Sequence, residues 1–185
     1  MSAPKDNELM FDVRNGEISK LAILFERHHL KLFNFFTKMT FDRDVSEDLV
    51  QEVFLRILKY RHTYRGESQF TFWMFRIARN SHADHFRKNK REDYFDENIE
   101  NRTSEEPLPL EAIEYGQDIE LLNKALQKLP AEKREVLVLS RFQNLKYHEI
   151  ADLLNCTVGT IKLRVHRAMK DLRTIFFTLA SEHLP

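Results

Sequence analysis

Between Glu92 and Glu120 the chain carries eleven acidic side chains and one basic one, Arg102. Pro107, Pro109, Asn98, Asn101, Thr103 and Ser104 fall in the same stretch, and no helical period resumes until about Ile113. Carboxylates this dense repel one another, and proline withholds a backbone donor, so no compact core can run through the segment. It reads as an extended, flexible acidic linker over residues 93–116, and whatever folds must fold on either side of it. A plain solvated spacer and a segment whose acidity has its own role both remain open.

The 185 residues include only 4 Gly and 5 Pro, and no run alternates Val, Ile and Thr as a strand would. Few helix breakers and no strand pattern predict an all-α chain. The expectation is two small helical domains, 18–92 and 117–178, joined by the acidic linker, with tails at 1–17 and 179–185. Net charge is zero, with 29 basic and 29 acidic residues. A free-standing DNA-binding domain is usually basic. Here the neutrality hides segregation, because Arg87, Lys88, Lys90 and Arg91 end the first half. Lys162, Arg164, Arg167, Lys170 and Arg173 cluster near the C-terminus with only Asp171 opposing them.

Several function classes fall away. A single cysteine, Cys156, cannot form an internal disulfide or a cysteine-rich zinc site, which makes a reducing cytoplasm the default location. Met1 to Met10 is polar and mixed in charge, unlike a signal peptide, and no segment reaches the roughly 18 apolar residues of a membrane span. The pair His28–His29 points about 100° apart on a helix and cannot easily share a metal ion. With no nucleophile–base pair, glycine-rich phosphate loop or metal-ligand spacing, neither an enzyme nor a cofactor, metal or small-molecule substrate is expected. Most of the 15 Phe read as core packing.

In the first half, Ile18 to Met39 reads as a helical hairpin or one bent helix with Leu21, Leu24, Phe25, Leu32, Phe35 and Phe36 inward. The next helix is expected to start at Asp44 as N-cap, with Glu47 completing a capping box. Its apolar face is Leu49, Val50, Val53, Phe54 and Ile57; Asp48, Gln51, Glu52 and Lys59 face the other way, with Leu55 among them. An apolar side chain ringed by acids and amides suits either ordinary surface or a docking face. Gly66 makes Arg61 to Gln69 a loop. The helix from Phe70 to Arg87 places Phe70, Trp73, Ile77 and Ala78 on one side. Phe72, Phe75, Arg79 and Phe86 lie on another, beside Arg76, Asn80 and Arg87. That pattern fits a buried bundle helix or a platform for single-stranded DNA, where bases stack on rings and cations track phosphates.

In the second half, Ile119 to Leu129 is amphipathic, and Pro130 opens a helix that buries Val136, Leu137 and Leu139. Tyr147 to Leu154 is a short helix with Ile150, Leu153 and Leu154 inward. Asn155 and Cys156 form a turn, and Thr157 caps a helix whose inward residues are Ile161, Val165, Ala168 and Leu172. That phase leaves Lys162, Leu163, His166, Arg167 and Lys170 outside. Two short helices, a tight turn and a cationic second helix make a helix-turn-helix, which favours DNA binding over a plain bundle.

The runs DLVQEVF (48–54), YRGES (64–68) and FWMFRIARN (72–80) resemble conserved region 2 of bacterial sigma factors. LPAEKREV (129–136), EIA (149–151) and VGTIK (158–162) resemble region 4. With only the linker between them, the chain is similar to the extracytoplasmic-function group. The resemblance implies that Asp48, Gln51, Glu52 and Leu55 dock on core RNA polymerase. Tyr64, Arg65, Gly66, Glu67 and Ser68 would capture a flipped base of the melted −10 element, and Arg76 and Asn80 would hold its neighbours. Thr160, Lys162, Leu163, Arg164, His166, Arg167 and Lys170 would read the −35 element as duplex. It also implies a partner anti-sigma factor, and a linker that threads the cationic channel later taken by RNA. Lys146 stands where Ser or Thr often caps, and Asn155 where the turn usually has Gly; Asn tolerates the left-handed conformation, so the turn should survive. Rival readings are a helix-turn-helix regulator that works without polymerase, which leaves 18–92 unexplained, and a helical adaptor.

Overall fold

The computed structural model describes residues 4–92 and 115–182, with no strand among them. The chain forms two compact units, which divide after Arg102. Of the expected linker, 93–114 lie outside the described residues, and the first helix of the second unit already takes in residues 115 and 116.

Among its described residues the first unit packs four α-helices: α1 (Asp6–Arg14), α2 (Lys20–Thr40), α3 (Arg43–Tyr60) and α4 (Phe70–Glu92). Helix α2 is one continuous helix rather than a hairpin. It buries Leu24, Leu32, Phe35, Phe36 and Met39 at helical spacing. Phe25 does not join them: it stays 36% exposed, its ring stacked on His29 at 5.0 Å and edge-on to Phe54 at 4.9 Å. The cap of α3 is Asp42, not Asp44. The Asp42 carboxylate accepts from the Val45 N–H at 2.9 Å, and Asp44 sits inside the first turn, where a negative charge still suits the helix N-terminus. Leu49, Val50, Val53, Phe54 and Ile57 are buried, while Leu55 is 63% exposed. Phe75, placed above on the side of α4 that carries Phe72, Arg79 and Phe86, is 1% exposed and meets Phe35 edge-on at 5.6 Å.

The largest departure is at the start. Residues 1–17 were expected as a tail, yet Leu9, Met10 and Val13 of α1 are fully buried. At about 25 cal/mol per Å² of apolar surface, three such side chains stabilise the unit by several kcal/mol, roughly 1.5–3 each. The same helix brings Asp6 to His28. His28 Nε2 lies 2.7 Å from Asp6 Oδ2, and its buried Nδ1 has no partner, so the proton of the neutral ring sits on Nε2 and is donated to the carboxylate.

The second unit contains α5 (Tyr115–Lys128), α6 (Ala131–Leu137), α7 (Tyr147–Leu153) and α8 (Val158–Glu182). Pro130 is the N-cap of α6 rather than its first helical residue. Helix α6 widens into a π turn over Val138–Phe142, closed by Gln143 N–H donating to the Val138 carbonyl at 3.0 Å. Asn144 (φ 56°) and Asn155 (φ 49°) take the left-handed turns on either side of α7. The second of these is the turn expected to survive without Gly. Lys146 has no side-chain acceptor to cap α7, and the job passes to Glu149, which accepts from the Lys146 N–H at 2.7 Å. Leu154 is only half-buried. Helix α8 runs through Glu182 and buries Leu179, so residues 179–182 continue the helix and are not a tail.

Candidate nucleic-acid interfaces

The loop between α3 and α4 starts with a 3₁₀ turn, Arg61–Thr63, and reaches the first turn of α4 at Phe70. Gly66 stands at φ 72°, and a β-carbon built there would come within 2.4 Å of the Phe11 ring, so both its conformation and its space call for Gly. The loop and α4 enclose an open cleft of about 650 Å³, within the range that takes a nucleotide-sized ligand. Its walls bring together Tyr64, Arg65, Gly66, Glu67, Ser68, Arg76 and Asn80, the −10 residues singled out above. Arg65 and Glu67 project outward with side chains 79% and 78% exposed, and their 3.9 Å approach is a weak, solvent-screened pair. Arg76 and Asn80 are exposed one turn apart on α4.

Tyr64 has a different place from the rest of its motif. It is 1% exposed, packed edge-on against Phe11 (5.4 Å) and Trp73 (5.2 Å). Burial and the nearby Asp6 carboxylate push its phenol up to about 12, so it stays protonated. It forms the floor of the cleft and cannot offer its ring face to a base. The cleft also includes Tyr60, Thr63, Phe72, Trp73 and Ile77. Of these, sequence reasoning passed over Tyr60 and Thr63. Tyr60 is 45% exposed, and an aromatic residue beside a glycine loop was the available signal.

On the outer face of α3, Asp48, Gln51 and Leu55 are exposed. Glu52 is half-exposed and already engaged: Arg56 Nε donates to it at 2.6 Å, while Arg56 Nη1 reaches Asp84 of α4 at 2.8 Å. Those two carboxylates raise the guanidinium pKa of Arg56.

In the second unit, the Thr157 hydroxyl accepts from the Thr160 N–H at 3.1 Å and fixes the start of α8. Thr160 is half-buried and its hydroxyl lies 2.9 Å from that of Thr157, so it is tied into the cap. Ile161, Val165, Ala168 and Leu172 face the core as the spacing required. Lys162, Leu163, Arg164, His166, Arg167 and Lys170 are all exposed. That is a convex, cationic surface on a capped helix, with the opposite geometry to the concave cleft. No group of three or more potential metal ligands occurs among the described residues, and no helix of theirs is long and apolar enough to cross a membrane.

Comparison with known proteins assigns the two units separately. Residues 24–92 match the family model described as Sigma-70 region 2, and residues 119–172 match Sigma-70, region 4. The chain is 30% identical over 156 residues to the ECF RNA polymerase sigma factor SigX of Bacillus subtilis, covering 82% of this chain and 80% of that one. It is 30% identical over 172 residues to the RNA polymerase sigma factor CarQ of Myxococcus xanthus, covering 91% and 96%. Among solved structures, the sigma factor RpoE in complex with the anti-sigma factor NepR from Bartonella quintana superposes with a TM-score of 0.71 at 27% identity. The match covers 83% of this chain and 94% of that one.

Proposed function

Because the chain belongs to the sigma-70 family of RNA polymerase sigma factors, in its extracytoplasmic-function group, we propose a division of labour among three of its surfaces. The protein is a transcription initiation factor that binds core RNA polymerase and directs it to promoters. The outer face of α3 docks on the polymerase through Asp48, Gln51, Glu52 and Leu55. Burying an exposed Leu against a partner is worth about 1.5–3 kcal/mol, and the acids and amides around it set the orientation. The cleft of the first unit captures a flipped base of the melted −10 element. Arg65, Gly66, Glu67 and Ser68 form the rim, Tyr64 the floor, and Arg76 and Asn80 hold the neighbouring nucleotides. The exposed face of α8 enters the major groove of the −35 duplex. Lys162, His166 and Arg167 reach base edges and Lys170 meets phosphate; Thr160 acts by holding the helix start.

The observation that carries this reading is the cleft, which gathers residues 64–68, Arg76 and Asn80 around one nucleotide-sized space. The acidic segment supports it chemically, since a carboxylate-rich strand suits a cationic channel built for RNA and growing RNA can displace it. The catalysis belongs to the polymerase, and the chain itself is no enzyme. Its place is the cytoplasm, where polymerase and DNA are. The complex of RpoE with an anti-sigma factor motivates a partner of the same kind here, one that covers the polymerase- and DNA-binding faces.

Transcription from a genomic DNA library by core polymerase plus this chain tests the reading. Transcripts should start at discrete sites that share two upstream elements. Equal transcription with and without the chain would refute it.

A further inference from the structure

Helix α1 lies wholly outside the residues matched by the region 2 model, which begin at 24. It has two stripes. Leu9, Met10 and Val13 anchor it in the core. Asn7, Phe11 and Arg14, spaced four and three apart, face the loop. Each makes a contact that reaches across the chain. Asn7 Oδ1 accepts from the Phe70 N–H at 2.8 Å, so a side chain of α1 satisfies a first-turn donor of α4. The same amide donates through Nδ2 to the Ser68 carbonyl at 3.3 Å. Arg14 Nη1 donates to the Tyr64 carbonyl at 2.9 Å. The Phe11 ring packs beneath Gly66 and edge-on to Tyr64.

We propose that α1 is a positioning element for the base-capture loop: Asn7 and Arg14 hold its backbone on both sides of Gly66, Phe11 supports it from below, and the cleft is shaped before DNA arrives. The inference rests on the base-capture reading of the cleft. Its physical basis is that the polar contacts of Asn7 and Arg14 go to main-chain atoms at positions 64, 68 and 70, leaving Arg65 and Glu67 free to project. A loop held in its binding conformation does not have to lose conformational freedom when the base enters. None of the three α1 side chains needs to touch DNA.

The test uses holoenzyme and the single strand it selects best from a random pool, with each base in turn replaced by an abasic site. Wild type should show one position whose loss dominates the penalty. Asn7→Ala and Arg14→Ala should shrink that penalty by about two- to tenfold, the loss expected when a net hydrogen bond holding the loop is removed. Both variants should leave binding of the abasic strand unchanged and the unit folded, with an unfolding midpoint lowered by about 4–8 °C for each kcal/mol that the lost hydrogen bonds contribute. Asn7→Asp keeps the acceptor for Phe70 but not the donor to Ser68, so it should fall between; Arg14→Lys should retain most of the penalty. Should Asn7→Ala fail to fold, the half-buried Arg14 carries the test. An unchanged penalty overturns the inference, as does an equal loss on intact and abasic strands, which would make α1 ordinary scaffold. A wild type with no dominant position overturns the capture reading itself, and this inference with it.

Discussion

In the proposed division of labour, the cleft of the first unit and the outer face of α8 would handle DNA by opposite means. The cleft is concave, walled by a loop and about two turns of α4, and its loop is braced by α1 more than fifty residues upstream in sequence, where Asn7 meets Phe70. The α8 surface is convex and local, a capped helix whose phase alone decides which side chains point out. The contrast follows from the substrates. A flipped base must be enclosed, which demands a cavity held open against collapse; a duplex groove already supplies the concavity, so one rigid helix suffices.

If polymerase docking serves both surfaces, a change on α3 should silence both. Leu55→Arg should lower core binding by more than about thirtyfold, the cost of losing a buried Leu contact and setting a charge against an apolar patch. The circular dichroism melt should not move, because Leu55 is 63% exposed. A collapsed melt would return Leu55 to the core.

The next largest effect separates enclosure from helix phase. Gly66→Val should cost about 2–4 kcal/mol, from a β-branched residue at φ 72° plus overlap with Phe11. Promoter opening should fail while −35 duplex binding persists. Adding Phe11→Ala should recover part of the loss, measured as a double-mutant coupling energy. Additive effects would mean the overlap does not matter.

On α8, Arg167→Ala should cost about 1–3 kcal/mol at one or two base pairs of the upstream element and relax preference there. Lys170→Ala should weaken every sequence alike and flatten the salt dependence. Binding to a panel of single-base variants distinguishes them. A uniform loss for Arg167→Ala would make it a phosphate contact.

This contrast also explains what could be read from the sequence. The phase of α8, its Thr157 cap and the left-handed Asn155 were all legible, because each depends on spacing within one short run. The cleft residues 64–68, Arg76 and Asn80 came through the family resemblance, yet the burial of Tyr64 did not. Its neighbours Phe11 and Trp73 sit far apart in sequence, and a motif cannot show which of its members face inward. Helix α1 was missed for the same reason. Its nine residues look polar and mixed, and only packing reveals that Leu9, Met10 and Val13 are buried. The cap of α3 shows a smaller failure: the spacing to Glu47 pointed to Asp44, and only the hydrogen bond to Val45 shows that Asp42 is the cap.

The smallest expected effect reads the α1 contact by pH. Burial pushes the His28 imidazole below its ordinary value of 6.5 despite the pull of Asp6. Burial would raise Asp6, but hydrogen bonds and charge from Arg27 and His28 outweigh it and hold its carboxyl below the ordinary value. Both groups therefore bind protons more weakly folded than unfolded. Their stabilisation is complete above the ordinary value of each and is lost as pH falls through the folded one. The unfolding midpoint of the first unit, followed by fluorescence of the lone Trp73, should drop as pH falls below about 6.5. A flat profile would mean that His28 binds its proton as readily folded as unfolded.

Holoenzymes carrying Arg76→Ala or Arg167→Ala, each titrated with a single-stranded −10 probe and a −35 duplex probe, put the division of labour to the test. Arg76→Ala should weaken the single strand and spare the duplex, and Arg167→Ala should do the reverse, each by about tenfold or more. If either variant weakens both probes equally, the two units do not read separate forms of DNA.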